Sequence, residues 1–311
     1  MNSILEDFKM AFRSGNILNQ LIIINLAVFA LVNILLFVVL KLAGQDVVYY
    51  DIVGYLSLPS NPAQLIYQPL AFISYMFLHA DFLHILSNML FLYWFGKIIT
   101  EYLGQNKILG LYVWGGLAGA ALYLVAFNTI PFYSDVANRS ILMGASAGVL
   151  AVVVAAATFK PDHIVHLFLL GPIKMKWIAL FFVIMSFFRT VGENAGGELA
   201  HLGGAALGYF FMRQLQQNGN DWSKPVVSFV IWCKSFFKPQ PKIKVTYKNE
   251  EKFGSGKKTK AKARPTKKAA SQDSNETSQA EIDAILDKIS EKGYDALSKT
   301  EKQKLFNASK D

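Results

Sequence analysis

Four side chains in this chain have the types and spacing to do chemistry together. Ser146 stands in Met143-Gly144-Ala145-Ser146-Ala147-Gly148, at the head of an apolar run from Ile141 to Phe159. A serine is a weak nucleophile until a base takes its proton, and imidazole titrates in the right range. Of five histidines, only His201 heads another small-residue apolar stretch, His201-Leu-Gly-Gly204-Ala-Ala-Leu-Gly208. His84 and Asn88 are four residues apart, hence on one face of a helix, and both carry donors suited to a developing oxyanion. The pattern points to acyl transfer: Ser146 as nucleophile, His201 as base, and His84, Asn88 and the Ser146 amide as oxyanion donors. Asp81 and Glu198 fall at helix ends with no acid deeper, so a dyad rather than a triad is expected. Blander roles compete: a packing serine, an interhelical histidine donor, a His84/Asn88 bridge between helices. Metal binding by His79, His84 and His201 is disfavoured, because no thiol lies near and acids stand only at the helix ends. No metal and no cofactor is expected.

The elements that must position these residues are apolar helices. The chain has 311 residues, 53% of them hydrophobic and 17% charged, with mean hydropathy +0.30. A soluble domain of this length carries fewer apolar and more charged residues. The apolar residues fall in six blocks, about 20–41, 81–102, 108–128, 141–159, 175–189 and 200–216. Each is near the ~20 residues that cross ~30 Å of hydrocarbon as a helix, allowing for short or tilted members. Barrel strands are about half as long and alternate in polarity. The expected class is therefore all-α, a polytopic membrane protein with a six-helix bundle. The first block is too long for a signal-peptide core and reads as a retained anchor. Gly144-x-x-x-Gly148 and Gly204-x-x-x-Gly208 would let two helix backbones approach closely.

Lys9, Arg13, Lys97, Lys107, Lys160, Lys174, Lys176 and Arg213 flank one side, and only Lys41, Arg139 and Arg189 the other. The positive-inside rule then puts both termini in the cytoplasm of a cell whose inner membrane holds the protein. His84, Asn88, Ser146 and His201 come to similar depth in the outer half of the bilayer. The segment 42–80 would be external and, with Tyr55, Leu56, Leu58 and Leu65, partly interfacial.

The remaining organisation follows composition. Residues 1–16 read as a cytoplasmic amphipathic segment, 17–216 as the membrane domain, 217–276 as an interfacial segment (225–238) followed by a basic linker, and 277–311 as a small helical hairpin. The net charge of +9 gathers toward the C-terminal end, so it describes the tail rather than a nucleic-acid groove. Its expected partner is the anionic leaflet, at about 1 kcal/mol per lysine; no nucleic acid is expected. A single cysteine, Cys233, excludes an intrachain disulfide framework. Ser278-Gln-Ala-Glu281 and Ser298-Lys-Thr-Glu301 are capping boxes ahead of helical patterns. A transporter with a polar midplane site would show broken helices and inverted repeats, and neither is clear.

The segments His84-Ile-Leu-Ser-Asn88, Gly144-Ala-Ser146 and Ala200-His201-Leu-Gly-Gly204 with Gly208, in this order on the second, fourth and sixth blocks, resemble the rhomboid intramembrane serine proteases. The resemblance covers roughly residues 15–216. It implies a Ser146–His201 dyad, oxyanion stabilisation by His84, Asn88 and the Ser146 amide, and cleavage of transmembrane protein substrates near the outer face. It likens the fifth block and the loop 190–199 to a lateral gate and cap. The chain departs from the family pattern at Ala147, where glycine is common, and at Leu150, where an aromatic often stacks on the base. It departs again at Thr100, where an acid is usual between Gly96 and Gly104, with Glu101 adjacent. A catalytically inactive, client-binding member of the same family remains the alternative.

Overall fold

The computed structural model describes residues 15–167, 171–237 and 279–308. Residues 1–14 of the expected amphipathic segment 1–16, the expected basic linker and Ser278 of the first capping box lie outside them. The described residues fall into two units, one within Met1–Lys242 and one within Ile243–Asp311.

The larger unit is built from helices that the apolar blocks foretell, with local chemistry deciding where each starts. Helix α1 (Ile17–Phe29) begins where the Asn16 side chain accepts the Asn19 amide at 3.2 Å. It continues without a break through a π-helical stretch, Ala30–Leu36, into α2 (Phe37–Leu42). Then come α3 (Asp46–Leu56), the short strand β1 (Leu58–Pro59), and the one-turn helices α4 (Pro62–Leu65) and α5 (Ala71–Ser74). Helix α6 (Phe82–Leu103) is capped by Asp81, whose Oδ1 accepts the His84 amide at 2.9 Å. Gly104, at φ +87°, makes the turn into α7 (Gln105–Thr129). After α8 (Ser134–Ala137) and β2 (Ile141–Leu142) come the site helix α9 (Ser146–Phe159), the hairpin β3 (Ile164–Leu167) and β4 (Gly171–Lys174), α10 (Met175–Arg189), α11 (Ala195–Asn218) and α12 (Ser223–Phe237).

Three of these stretches, Ile17–Leu42, Phe82–Leu103 and Gln105–Thr129, are long and apolar enough to cross a membrane, and Ser146–Phe159 is a shorter apolar helix. The outward surface agrees. Leu31, Ile34, Leu35 and Leu42 on the first span and Phe181, Phe187 and Phe188 on α10 are exposed. Exposed apolar rows of this extent belong against lipid. The protein is a multi-pass, predominantly helical membrane protein.

Helix α9 is the centre of the bundle. Ten of its fourteen residues are buried, so it is apolar all round rather than on one stripe. Glycines allow the approach on both sides. A Cβ at Gly204 would collide with the Ala147 carbonyl oxygen, and one at Gly208 with the Ala151 carbonyl oxygen. On the α7 side, Gly115 and Gly119 face Ala151 and Ala147, and Gly148 lies against the Tyr112 backbone.

Two sequence expectations change here. The fourth apolar block does not run as one helix from residue 141. Ile141 and Leu142 pair instead with Pro59 and Leu58 in an antiparallel two-stranded ladder, and the helix starts at Ser146. Gly144 at φ +133° is the reason, since that backbone is incompatible with a helix. Gly144 is therefore a turn residue and not half of a helix-packing pair with Gly148. The segment 42–80, expected to be external and partly interfacial, also contributes to the core. Leu58, Tyr75 and Met76 are buried in the core. The Tyr75 hydroxyl donates to the Gly116 carbonyl at 2.6 Å, and the Tyr112 hydroxyl donates to the Met76 carbonyl at 2.7 Å.

Helix α12 covers residues 225–237 of the expected interfacial stretch and packs on α7. The Trp114 Nε1–H donates to the Trp222 carbonyl at 2.8 Å, and Lys107 Nζ meets Asp221 Oδ2 at 2.6 Å. The second unit is a hairpin of α13 (Gln279–Lys292) and α14 (Lys299–Ala308), turned by Gly293 at φ +78°. Its second capping box forms as expected: the Ser298 amide donates to Glu301 Oε2 at 2.7 Å, and the Ser298 Oγ accepts the Glu301 amide at 3.3 Å. Lys288 Nζ bridges to Glu301 Oε1 at 2.9 Å.

The close approach predicts that Gly204→Val destabilises the bundle by about 1–3 kcal/mol or more, because the added atoms meet backbone and not a movable side chain. Thermal unfolding in detergent measures this. In the hairpin, the Lys288 ammonium and then the Ser298 amide hold the Glu301 carboxyl down at about 2. A depressed carboxyl supports the fold above its unfolded value, near 4.3, and that support drains away as pH falls toward the folded value. The protection of amides 299–308 against hydrogen exchange, taken relative to the intrinsic rate at each pH, should therefore fall below about pH 4.3 in the wild type. In Glu301→Gln that protection should be lower at neutral pH and change less over the same window.

Candidate active site

The site is assembled by three helix starts and the loop between β2 and α9. Ser146 is the first residue of α9, so the amides of Ala145, Ser146, Ala147 and Gly148 precede the first intrahelical acceptor pair, Val149 N–H to Ala145 C=O at 3.0 Å. The turn before it is pinned by the Gly144 amide donating to the Tyr75 carbonyl at 2.9 Å. Through the Tyr75 hydroxyl bond to Gly116, the serine's backbone is thus referenced to α7.

His84 and Asn88 project from the first two turns of α6. The Ala80 amide reaches His84 Nδ1 at 3.4 Å, which makes Nδ1 the acceptor and puts the proton of the neutral ring on Nε2. That nitrogen and the Ser146 hydroxyl both border Gly144. A Cβ placed on Gly144 would lie 3.0 Å from His84 Nε2 and 3.5 Å from Ser146 Oγ. The absent side chain of Gly144 is thus the space on which ring and hydroxyl converge. The buried Asn88 uses one amide proton on the His84 carbonyl at 2.9 Å and keeps a second.

His201 stands in the second turn of α11, its side chain 24% exposed. Its Nδ1 lies 3.1 Å from Glu198 Oε2 and 3.1 Å from Ser186 Oγ. A carboxylate only accepts, so Nδ1 carries a proton toward it and Nε2 is left with its lone pair. Glu198 is 3% exposed, and its other oxygen sits 3.2 Å from Arg189 Nε. Among the described residues Ser146 makes no hydrogen bond to His201, and no ring stacks on His201.

A cavity of about 490 Å³ joins these groups; Ser146, His201, His84 and Asn88 all line it, with Ser186, Glu198 and Arg189. Leu150 and Val153 supply apolar wall, as does Phe182. One cavity, four polar groups from three helices and a helix N-terminus form a place where a carbonyl could meet a hydroxyl, a base and several N–H donors. No group of three or more metal-ligating side chains occurs among the described residues.

Sequence reasoning placed Glu198 at a helix end and left it aside. The structure buries it one helical turn before His201. Its i, i+3 spacing from His201 was the available signal. Ser186 was missed altogether. A single hydroxyl inside the apolar Met175–Arg189 stretch could have pointed to it.

Comparisons with known proteins agree with this architecture. Residues 67–217 match the family described as Rhomboid domain, and residues 273–311 match a family of unknown function (DUF6576). Over 141 residues the chain is 33% identical to RHOMBOID-like protein 12, mitochondrial, of Arabidopsis thaliana, a match that spans 42% of this chain and 42% of that protein. The region matched to a rhomboid domain holds α6 to α10, α11 up to residue 217, and every residue that lines the cavity.

Gly144→Ala tests the geometry directly. It forces a side chain into φ +133° and against the His84 ring, so it should cost about 1–3 kcal/mol of stability. It should also displace the ring. Thermal unfolding reads the first effect, and a structure of the variant reads the second.

Proposed function

We propose that this protein is an intramembrane serine endopeptidase that cleaves transmembrane protein substrates near the outer face of the membrane. The observation that carries the reading is the convergence of Ser146, His201, His84 and Asn88 on one cavity at the start of three apolar helices. Six crossings are proposed: Ile17–Leu42, α6, α7, α9, α10 and α11. Both termini face the cytoplasm, the bundle sits in the cell's inner membrane, and the basic linker lies against anionic lipid.

In this mechanism Ser146 Oγ attacks the scissile carbonyl while His201 Nε2 takes its proton. The oxyanion is met by the Ser146 amide, His84 Nε2–H and the free Asn88 amide proton. Their directions are set by the fold before substrate arrives, which is why such donors act without reorganisation. The tetrahedral intermediate collapses as His201 returns the proton to the leaving amine. Water, deprotonated by the same nitrogen, then releases the acyl group. A Ser146 hydroxyl not hydrogen-bonded to His201 suits an enzyme whose contacts tighten on substrate binding. It also motivates the second reading, a client-binding protein without activity.

Purified protein offered a labelled transmembrane substrate separates the two. Ser146→Ala and His201→Ala should abolish cleavage, and His84→Ala and Asn88→Ala should each lower kcat by about 10²–10³-fold. A fluorophosphonate should label Ser146. Cleavage that persists in Ser146→Ala, or a wild type that neither cleaves nor is labelled, removes the protease reading.

A further inference from the structure

We infer that Glu198 is the positioning residue for the base of the Ser146–His201 dyad. This rests on the protease reading above. Three observations carry it. The Glu198 carboxylate is almost fully buried, and its Oε2 is 3.1 Å from His201 Nδ1. Its other oxygen is held by Arg189 at 3.2 Å, which supplies the countercharge that makes a buried carboxylate tolerable. No aromatic ring stacks on His201 among the described residues, and Leu150 lines the cavity wall. The ring is therefore oriented by hydrogen bonds at its edge.

The chemistry gives this contact a specific consequence. A neutral imidazole bears one ring proton, and a base toward Ser146 needs it on Nδ1. Glu198 accepts from Nδ1–H and so selects that tautomer. When Ser146 forms its bond to the substrate carbonyl carbon, the hydroxyl proton moves to Nε2 and the ring becomes an imidazolium. Glu198 remains ionised and faces the new positive charge. The Nε2 proton then leaves with the amine as the peptide C–N bond breaks. Glu198 touches neither substrate nor reacting atom; it acts through His201 alone.

Arg189 and Ser186 extend the inference to the neighbouring helix. Both belong to α10, and they meet the Glu198 carboxylate and His201 Nδ1 respectively. The base is thus tied to the position of α10, and displacement of that helix would disturb its orientation.

The test uses the full chain in lipid nanodiscs with a labelled transmembrane substrate, comparing wild type, Glu198→Gln and Glu198→Ala. Gln keeps an acceptor at nearly the same shape and removes the charge; Ala removes both. Expected is a graded fall in kcat, about tenfold for Gln and about 100-fold for Ala, with KM within about twofold. Rates are corrected for the folded fraction, measured by circular dichroism and gel filtration. Equal kcat in all three proteins would overturn the inference, as would a loss that vanishes on correction or one that appears in KM instead. A wild type that neither cleaves nor takes a fluorophosphonate on Ser146 would fail the protease reading instead, so the two failures are told apart.

Discussion

Backbone contact between α9 and its two neighbours is the constraint on which the rest of this structure depends. Helices in a lipid environment gain little from burying apolar surface against one another, and close van der Waals packing must hold them. Gly204 and Gly208 on α11, and Gly115 and Gly119 on α7, remove the side chains that would keep α9 away. Only a helix of small residues can accept contact on both flanks, and Ser146–Phe159 is rich in alanine, glycine and valine. The same contact shapes the cavity. It sets the axial offset between α9 and α11, and hence whether a residue at the start of one stands level with a residue one turn into the other.

Polar groups in such a bundle are costly unless each finds a partner. The partners observed here are also positioning devices. Asn25 and Tyr112, both buried, bond at 3.1 Å and link the first span to α7. Tyr75 bonds α7 through its hydroxyl and the Gly144 turn through its carbonyl. Asp81 caps α6 and sets the first turn that bears His84. Glu198 joins Arg189 to His201. The requirement to satisfy buried donors and acceptors thus produces a scaffold in which the cavity's hydroxyl, rings and amides have few directions left to point.

The hairpin of α13 and α14 is a unit of different character. Its helices are polar outside one apolar stripe, with Ile285 and Leu297 buried. A capping box and one ion pair add to that small core. Its region has its own family match, separate from the rhomboid domain. Every residue that lines the cavity lies between Ala80 and His201 in the chain, within the other unit.

What the sequence determined by itself was whatever local pattern encodes. Apolar block length marked the long helices, and the capping box at Ser298 marked the start of α14. The order His84, Asn88, Ser146, His201 marked the candidate site, because residue type and i, i+4 spacing survive any packing. The tertiary structure alone decided that Ile141 and Leu142 form a strand, since their partners Pro59 and Leu58 are some eighty positions away in the chain. It also decided that Gly144 is a turn against His84 and that Glu198 is buried between Arg189 and His201. Periodicity tells which face of a helix is apolar. It does not tell how far one helix slides or rotates against the next, and that offset selects which carboxylate, hydroxyl and ring share a hydrogen bond.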